Sequence, residues 1–420
     1  MEYTAGRPWY LKLHWQVLTA MLLGVGVGLL FEENAGWALG WIGDLFMRLL
    51  RMIIHPLVFA SIVTGVASIA SGRAVGRLFS KTLGYYLLTS FLAASTGLLM
   101  VNLLRPGDNA NMEEADQANR DLAALDDRGI GEILMEIVPS NFFEGLASGS
   151  MLQIIFFSIV FGMAVASLPD AAVKQKLTGF FDALFQTMVK LTGTIIKFIP
   201  IAVLALIASM VGETGFDRFE PLARYFVTVL SGLSIHFVIT LPLVLWLLGR
   251  IKPWVHLANM RNPLVLAFST SSSAATLPVT MRAVEDRVGV SKKVSSFVLP
   301  MGATVNMDGT AVFECVGALF IAQVLGIEIG FGQQVIAVFT ALLASIGAAA
   351  VPSAGLVIIF IVLEAIGLQG DQVNAIVLTM LAIDRPLDMV RTAVNVYSDS
   401  CGAAIIARSE GEEGVDAEIR

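Results

Sequence analysis

Long unbroken apolar stretches dominate the chain, with polar residues gathered between them. Residues 15–31, 40–69, 82–104, 148–167, 177–211 and 222–248 are each near or above the ~20 residues a helix needs to cross a hydrocarbon core. They predict membrane-spanning helices. After residue 262 the pattern changes. Segment 263–281 is apolar but split by "STSSSAATLP", and segment 334–367 is apolar on both sides of "SIGAAAVPSAG". Irregular backbone at membrane depth is tolerated only where protein or a water-filled cavity surrounds it, so both segments read as re-entrant hairpins.

Composition agrees with a lipid solvent. Of the 420 residues 56% are hydrophobic and 15% charged, and the mean hydropathy is +0.77; such a surface would precipitate in water. Arg7 and Lys12 precede the first run and no small-residue cleavage site follows, so that run is expected to stay as a span. The net charge of −7 says little in a membrane protein, and no nucleic-acid partner is expected. Cys315 and Cys401 lie far apart in apolar runs and imply no disulfide framework. His14, His55, His236 and His256 are scattered without metal-ligand spacing, which sets metal catalysis aside.

Lys and Arg prefer cytoplasmic loops, and this orients the chain. Arg73, Arg77 and Lys81, then Lys174 and Lys176, then Arg250, Lys252 and Arg261 mark inside loops. Segment 105–136, with nine acids against three arginines, reads as a solvated flexible outside loop. The N-terminus is then cytoplasmic. The basic run Arg282, Arg287, Lys292 and Lys293 stays inside only if the first hairpin enters and leaves on the cytoplasmic face. The second hairpin, flanked by non-basic "GIEIGFGQQ" and "LQGDQ", reads as entering from outside. Two hairpin-plus-helix units from opposite faces suggest an inverted repeat that builds a substrate and ion site near the midplane, as in a secondary transporter.

"AIDRPLDMVRTAVNVYSD" (382–399) carries the chemistry. At 100° per residue Asp384, Asp388, Arg391, Thr392, Asn395 and Asp399 share a sector of about 100° on one helix. Such a stripe faces a cavity or protein partners, because ions in hydrocarbon are expensive. It either fixes helix packing as a salt-bridge network or recognises a solute. For recognition, Arg391 offers a two-pronged fork for a carboxylate and Asp388 an anion for an ammonium. Asn395 and Asp399 offer hard oxygen ligands. "NMDGT" adds Asn306, Asp308 and Thr310, with Gly309 as the residue able to interrupt its helix and free carbonyls for a cation. In "TSSSAATLP" the serines and a helix N-terminus would favour a carboxylate, the alternative being close packing between helices.

These residues resemble the dicarboxylate/amino acid:cation symporters, the family of the excitatory amino acid transporters and the archaeal sodium–aspartate transporters. The resemblance runs over about residues 10–408, most specifically in "SSSAATLP", "GATVNMDGT", "ASIGAAAVPSAGLV" and "LDMVRTAVNVYSD". It implies an all-α polytopic membrane protein with eight transmembrane helices plus two re-entrant hairpins in inverted repeats, assembled as a homotrimer and working as an elevator. Residues 1–81 would hold the first two helices of a scaffold, 82–104 the third helix in the transport domain, and 105–136 an extracellular acidic loop. Residues 137–221 would hold scaffold helices four and five at the trimer interface. Residues 222–408 would complete the transport domain, and 409–420 would be a cytoplasmic tail.

Carried over by position, the resemblance implies that Arg391 holds the substrate's side-chain carboxylate and Asp388 its amino group. Thr392, Asn395 and Thr310 would assist, with Ser272 and Ser273 of the first tip at the main-chain carboxylate, and Val351, Ala354 and Gly355 in the second tip as outer gate. Sodium would bind Asp399 with carbonyls of Gly302, Asn306 and Asn395. A second sodium would take carbonyls around Thr304, Ser345, Ile346 and Ala348, and a third Asn306 and Asp308 with Tyr86, Thr89 and Ser90. Glu314 matches the proton-carrying carboxylate of the animal members, the alternative being a Glu held in one state by a neighbour such as Arg385. The chain departs from the archaeal pattern at Ser271, where those members have arginine. Arg385 either fills that space, beside a backbone that Pro386 loosens, or pairs with Asp384. The second tip is richer in alanine than in the relatives.

The sequence thus reads as a sodium-coupled importer of L-aspartate or L-glutamate in the cell (inner or plasma) membrane, multi-pass, with both termini cytoplasmic. It is no enzyme. Proton co-transport and potassium counter-transport are left open. A C4-dicarboxylate carrier of this fold would leave Asp388 unpaired, a neutral amino acid carrier would leave Arg391 unpaired, and a substrate-gated anion channel would need a continuous polar pore.

Overall fold

The computed structural model describes residues 13–67, 73–108, 138–148, 151–214, 219–346 and 354–415. Regular structure there is helical throughout. The helices are α1 (Leu13–Phe31), α2 (Glu33–Ala67), α3 (Arg73–Leu104), α4 (Phe142–Ser148), α5 (Met151–Ala166), α6 (Ala171–Ile195) and α7 (Ile199–Thr214). There follow α8 (Phe219–Ile235), α9 (Leu241–Gly249), α10 (Pro253–Thr270), α11 (Ser273–Ala283) and α12 (Lys292–Val305). The last are α13 (Asp308–Val324), α14 (Phe331–Ile346), α15 (Ala354–Ala365) and α16 (Asp371–Ser409). Among the described residues three helical stretches, Arg77–Leu104, Glu220–Gly249 and Lys292–Val324, are each long and apolar enough to cross a membrane.

The helices fall into two packed groups. In one, α1 and α2 pack on α7, and α2 also packs on α5 and α6; in the other, α3 and α8 to α16 pack around α13 and α16. The stretch Lys292–Val324 is the axis of the second group, with 94% of its apolar window buried inside the protein. Within the first group α1 meets α7 closely because Gly24 and Gly28, one turn apart, lie against the Leu204 and Ala208 carbonyls. Small residues that let backbones approach are how helices gain contact where lipid competes equally for apolar surface.

The break expected in the first of the two interrupted apolar segments is present. α10 and α11 pack side by side and reverse direction at Ser271 and Ser272. Ser271 takes the left-handed conformation (φ 49°, ψ 38°), unusual for a side chain with a Cβ. Ser272 is extended and its hydroxyl caps α11 by accepting from the Ala275 N–H. α14 and α15 also pack together; the segment between them, with Ala348 and Val351, lies outside the described residues, and so does most of the acidic segment 105–136.

Several boundaries differ from those expected. The first hairpin begins at Pro253 rather than 263, because "PWVHLANMRNP" continues as helix with Pro263 inside it, so Arg261 is helical rather than in a loop. α3 begins at Arg73, which makes Arg77 and Lys81 helical too. The single run 177–211 is two helices bent by 49° about a short 3₁₀ turn at Ile196–Phe198, next to Pro200. Among the described residues, 137–221 holds α4 to α7 and the start of α8, where two helices were expected. The run 222–248 is helical throughout, but a π-helical turn at His236–Thr240 separates α8 from α9.

A cationic patch holds the end of α16. Glu410 Oε2 accepts from Arg77 Nη2 at 2.5 Å and Oε1 from Lys81 Nζ at 2.6 Å. Glu412 accepts from the Ser291 backbone N–H at 2.9 Å and from its hydroxyl. The start of α3, the start of α12 and the end of α16 are therefore tied together.

Candidate functional site

Two polar clusters sit where α16 crosses α13. The first is built on the break between α12 and α13, which falls at Asn306 (φ −102°, ψ 85°) and Met307 (φ −116°, ψ 60°) rather than at Gly309. Gly309 is helical. Its lack of a side chain matters because a Cβ there would meet the Arg391 backbone, at 2.6 Å from the carbonyl oxygen. Gly309 thus lets α13 lie on α16, and its N–H donates to Asn395 Oδ1 at 2.7 Å.

Asp308 opens α13, where the positive end of the helix dipole favours a carboxylate. It is fully buried. Ser90 donates to its Oδ1 at 2.7 Å and Ser398 to its Oδ2 at 2.6 Å, and His236 Nε2 lies 3.1 Å from Oδ2. Asn306 Nδ2 reaches Ser398 Oγ at 2.9 Å and Asp399 Oδ1 at 3.0 Å, while its Oδ1 accepts from Thr89 at 3.2 Å. Gly302 borders the Asp399 carboxylate and the Tyr86 hydroxyl, so any side chain at 302 would collide with both. The Tyr86 hydroxyl itself donates to the Val298 carbonyl at 2.7 Å. Asn306, Asp308, Asp399, Thr89 and Ser90 are therefore brought together with Gly302 and Tyr86 beside them. This set is rich in hard oxygens, which suits a small alkali cation.

The second cluster lies along α16 itself. Arg391 is 1% exposed. Its Nη2 donates to Asp384 Oδ1 at 2.6 Å and to Asp388 Oδ1 at 3.1 Å, and its guanidinium carbon sits 3.9 Å from the Phe313 ring centroid. Nε and Nη1 of Arg391 have no hydrogen-bond partner. Gly355, at the start of α15, abuts Nη1 closely enough that a Cβ would collide with it. Arg385 Nη1 donates to Asp388 Oδ2 at 3.1 Å, and its Nε has no partner. The expected alternative of an Arg385–Asp384 pair is therefore not the arrangement found. Asp388 and Arg391 are also not apart, as separate recognition groups would be, but hydrogen-bonded to each other. An unsatisfied buried donor costs ~1–3 kcal/mol, more when charged, so three such nitrogens in one cluster mark a place that answers to a polar partner.

The remaining expected residues divide. Thr310 and Ser273 are buried, and Ser271 is buried with a hydroxyl that has no partner. The Thr392, Thr304 and Ser345 hydroxyls donate to carbonyls of their own helices, at Asp388, Met301 and Leu342. Ile346 and Ala354 end and begin α14 and α15. Glu314 is fully buried and neither carboxyl oxygen has a partner, so it is not held by Arg385. His236, Ser398 and Phe313 were missed. His236 was visible as a histidine in the middle of an apolar run, and Phe313 as the residue one turn beyond Thr310. Ser398, next to Asp399, gave no separate signal.

The sequence has relatives. The model of the sodium:dicarboxylate symporter family matches residues 13–409. A proton/sodium-glutamate symport protein of Geobacillus stearothermophilus is 34% identical over 409 residues, covering 95% of each chain. Excitatory amino acid transporter 3 of Oryctolagus cuniculus is 33% identical, over 96% of this chain and 87% of its own. The proton/glutamate-aspartate symporter of Escherichia coli strain K12 is 32% identical, over 95% and 93%. A match over nearly the whole length, on a helical frame with a buried ionic core, means that this chain belongs to the sodium:dicarboxylate symporter family.

Proposed function

We propose that the protein is a sodium-coupled importer of acidic amino acids, L-aspartate or L-glutamate, seated in the cell membrane. The observation that carries this is Arg391, buried between two carboxylates with two of its three nitrogens lacking partners. Two buried guanidinium nitrogens without partners are donors that a substrate carboxylate would satisfy. Relatives named as glutamate and glutamate-aspartate symporters support the same substrate class.

In this reading Arg391 takes the side-chain carboxylate, Asp388 the ammonium, and Ser272 and Ser273 the main-chain carboxylate, with Thr310, Thr392 and Asn395 lining the site. Val351, Ala354 and Gly355 would form the moving tip. The cluster of Asn306, Asp308, Asp399, Thr89, Ser90, Tyr86 and the Gly302 carbonyl would hold sodium, with a further ion at Thr304, Ser345, Ile346 and Ala348. Gly309 couples the two clusters physically: its N–H touches Asn395 while its Cα rests on Arg391. A cation that orders the break therefore biases the geometry of Arg391, and a bound substrate reciprocally tightens the cation. Glu314, buried and unpartnered, would carry a proton. The group around α2 and α7 would form a trimeric scaffold past which the group around α13 and α16 moves as an elevator.

Liposomes test this. Reconstituted protein should take up labelled aspartate or glutamate when an inward sodium gradient is imposed, with Arg391→Ala reducing uptake at least ~100-fold. An imposed pH gradient should modulate uptake in the wild type and not in Glu314→Gln. Sodium-independent uptake, or uptake of neither amino acid, would overturn the assignment.

A further inference from the structure

We infer that Arg385 sets how strongly the site selects for the ammonium group of its substrate, by occupying the carboxylate meant to receive that group. The inference rests on the reading of Asp388 as ammonium receptor. Each Asp388 oxygen already accepts from a guanidinium, Oδ1 from Arg391 and Oδ2 from Arg385, both at 3.1 Å. Asp384, one turn earlier, takes the shorter 2.6 Å bond from Arg391. Two arginines thus balance two aspartates, all four buried on successive turns of α16. A neutral cluster of this kind costs less to bury than a lone carboxylate.

The consequence is a competition. An incoming ammonium must share or take over Asp388 Oδ2, and the displaced Arg385 carries its charge with it. That arginine has an unpartnered Nε, so once released it offers a forked donor to a second substrate carboxylate. The energy of the ammonium contact is then partly offset by the lost Arg385 contact, whereas the energy of a carboxylate contact is not. Arg385 therefore narrows the preference for an amino dicarboxylate over the same dicarboxylate without the amino group. Its replacement by an uncharged side chain leaves the cluster with one net negative charge, which attracts an ammonium and repels a doubly charged dianion. Both effects widen the preference.

The test measures apparent affinities of L-aspartate and succinate, by competition against labelled aspartate uptake in proteoliposomes under one fixed sodium gradient. Arg385→Met should raise the aspartate-to-succinate affinity ratio about tenfold, which corresponds to ~1.4 kcal/mol. Arg385→Lys, which keeps the charge, should leave the ratio within about twofold of wild type. An unchanged ratio in Arg385→Met would overturn the inference. If that variant does not fold, a tenfold change of ratio in Arg385→Lys would overturn it instead, since the charge is retained there. Should the wild type transport neither compound, it is the acidic amino acid reading itself that fails, and this outcome is distinct from the other two.

Discussion

The two helix groups dissolve in the same lipid yet are built from different materials. Around α2 and α7 the buried polar residues among those described are Ser61, Ser158 and Thr192, and none of the charged side chains described there is buried. Ser158 and Thr192 satisfy their hydroxyls inside their own helices, on the Ile154 and Met188 carbonyls. Around α13 and α16, by contrast, Asp308, Glu314, Asp384, Arg385, Asp388, Arg391 and Asp399 are all buried, and most of their bonds run between helices or between turns of α16. A region that only has to pack needs volume and close approach. One that binds needs polar groups whose partners are exchangeable, and those are expensive to keep in the interior unless function requires them.

The largest test of that contrast is Asp308→Ala. It removes the carboxylate shared by Ser90, Ser398 and His236, leaving two buried hydroxyl donors and one imidazole nitrogen without their partner. Sodium-driven uptake should fall at least ~100-fold in proteoliposomes. Retained uptake with unchanged sodium dependence would show the polar cluster to be only structural, and the contrast would lose its functional meaning.

Gly28→Leu makes a smaller demand, on the other group. A Cβ at 28 would lie 2.7 Å from both the Ala208 carbonyl and Val211 Cβ, so α1 and α7 must separate. Overpacking of this kind costs typically ~1–3 kcal/mol. The expected result is a lower thermal transition in detergent with an unchanged KM per folded molecule. A KM shift beyond about threefold would mean that the aliphatic group takes part in binding, and the division would have to be redrawn.

How far the sequence revealed this follows the same division. The charged stripe on α16 was legible because six polar residues at helical spacing have no innocuous reading in an apolar run, and every one of them is buried. The first hairpin tip was legible from its Ser cluster. Periodicity cannot say which partner a buried ion chooses. Arg385 was open between Asp384 and the space of a missing arginine, and it went instead to Asp388, one turn on. The break in the polar helix was assigned to Gly309 on propensity, but the Asn306 side chain makes three cross-helix bonds that hold the unwound backbone, and glycine serves close approach instead. Helix starts failed wherever charge was taken for loop. Arg73, Arg77, Lys81 and Arg261 are all helical, since a helix leaving the membrane can carry charged turns into the polar layer.

The smallest effect concerns the patch at the end of α16, which belongs to the polar group but lies outside its buried core. Hydrogen bonds from Arg77 and then Lys81 hold the Glu410 carboxyl down at about 2, below the ordinary ~4.3 of a glutamate. A carboxyl depressed on folding contributes stability above its unfolded value, and this contribution is lost as pH falls toward the folded value. The Glu410 share should therefore be constant above about pH 5 and fade between about pH 4.5 and 2. Arg77 is largely exposed, with a side-chain accessibility of 67%, so solvent and salt screen most of the attraction. Glu410→Gln should lower the thermal transition by no more than a few degrees at pH 7, less in 1 M salt, and by nothing measurable near pH 2. Uptake should persist, because the patch ties α3 to α16 at their ends while both buried polar clusters are built further along. A loss of uptake with the thermal transition intact would instead make this face part of the moving machinery, and the boundary between packing and binding would then run through α3.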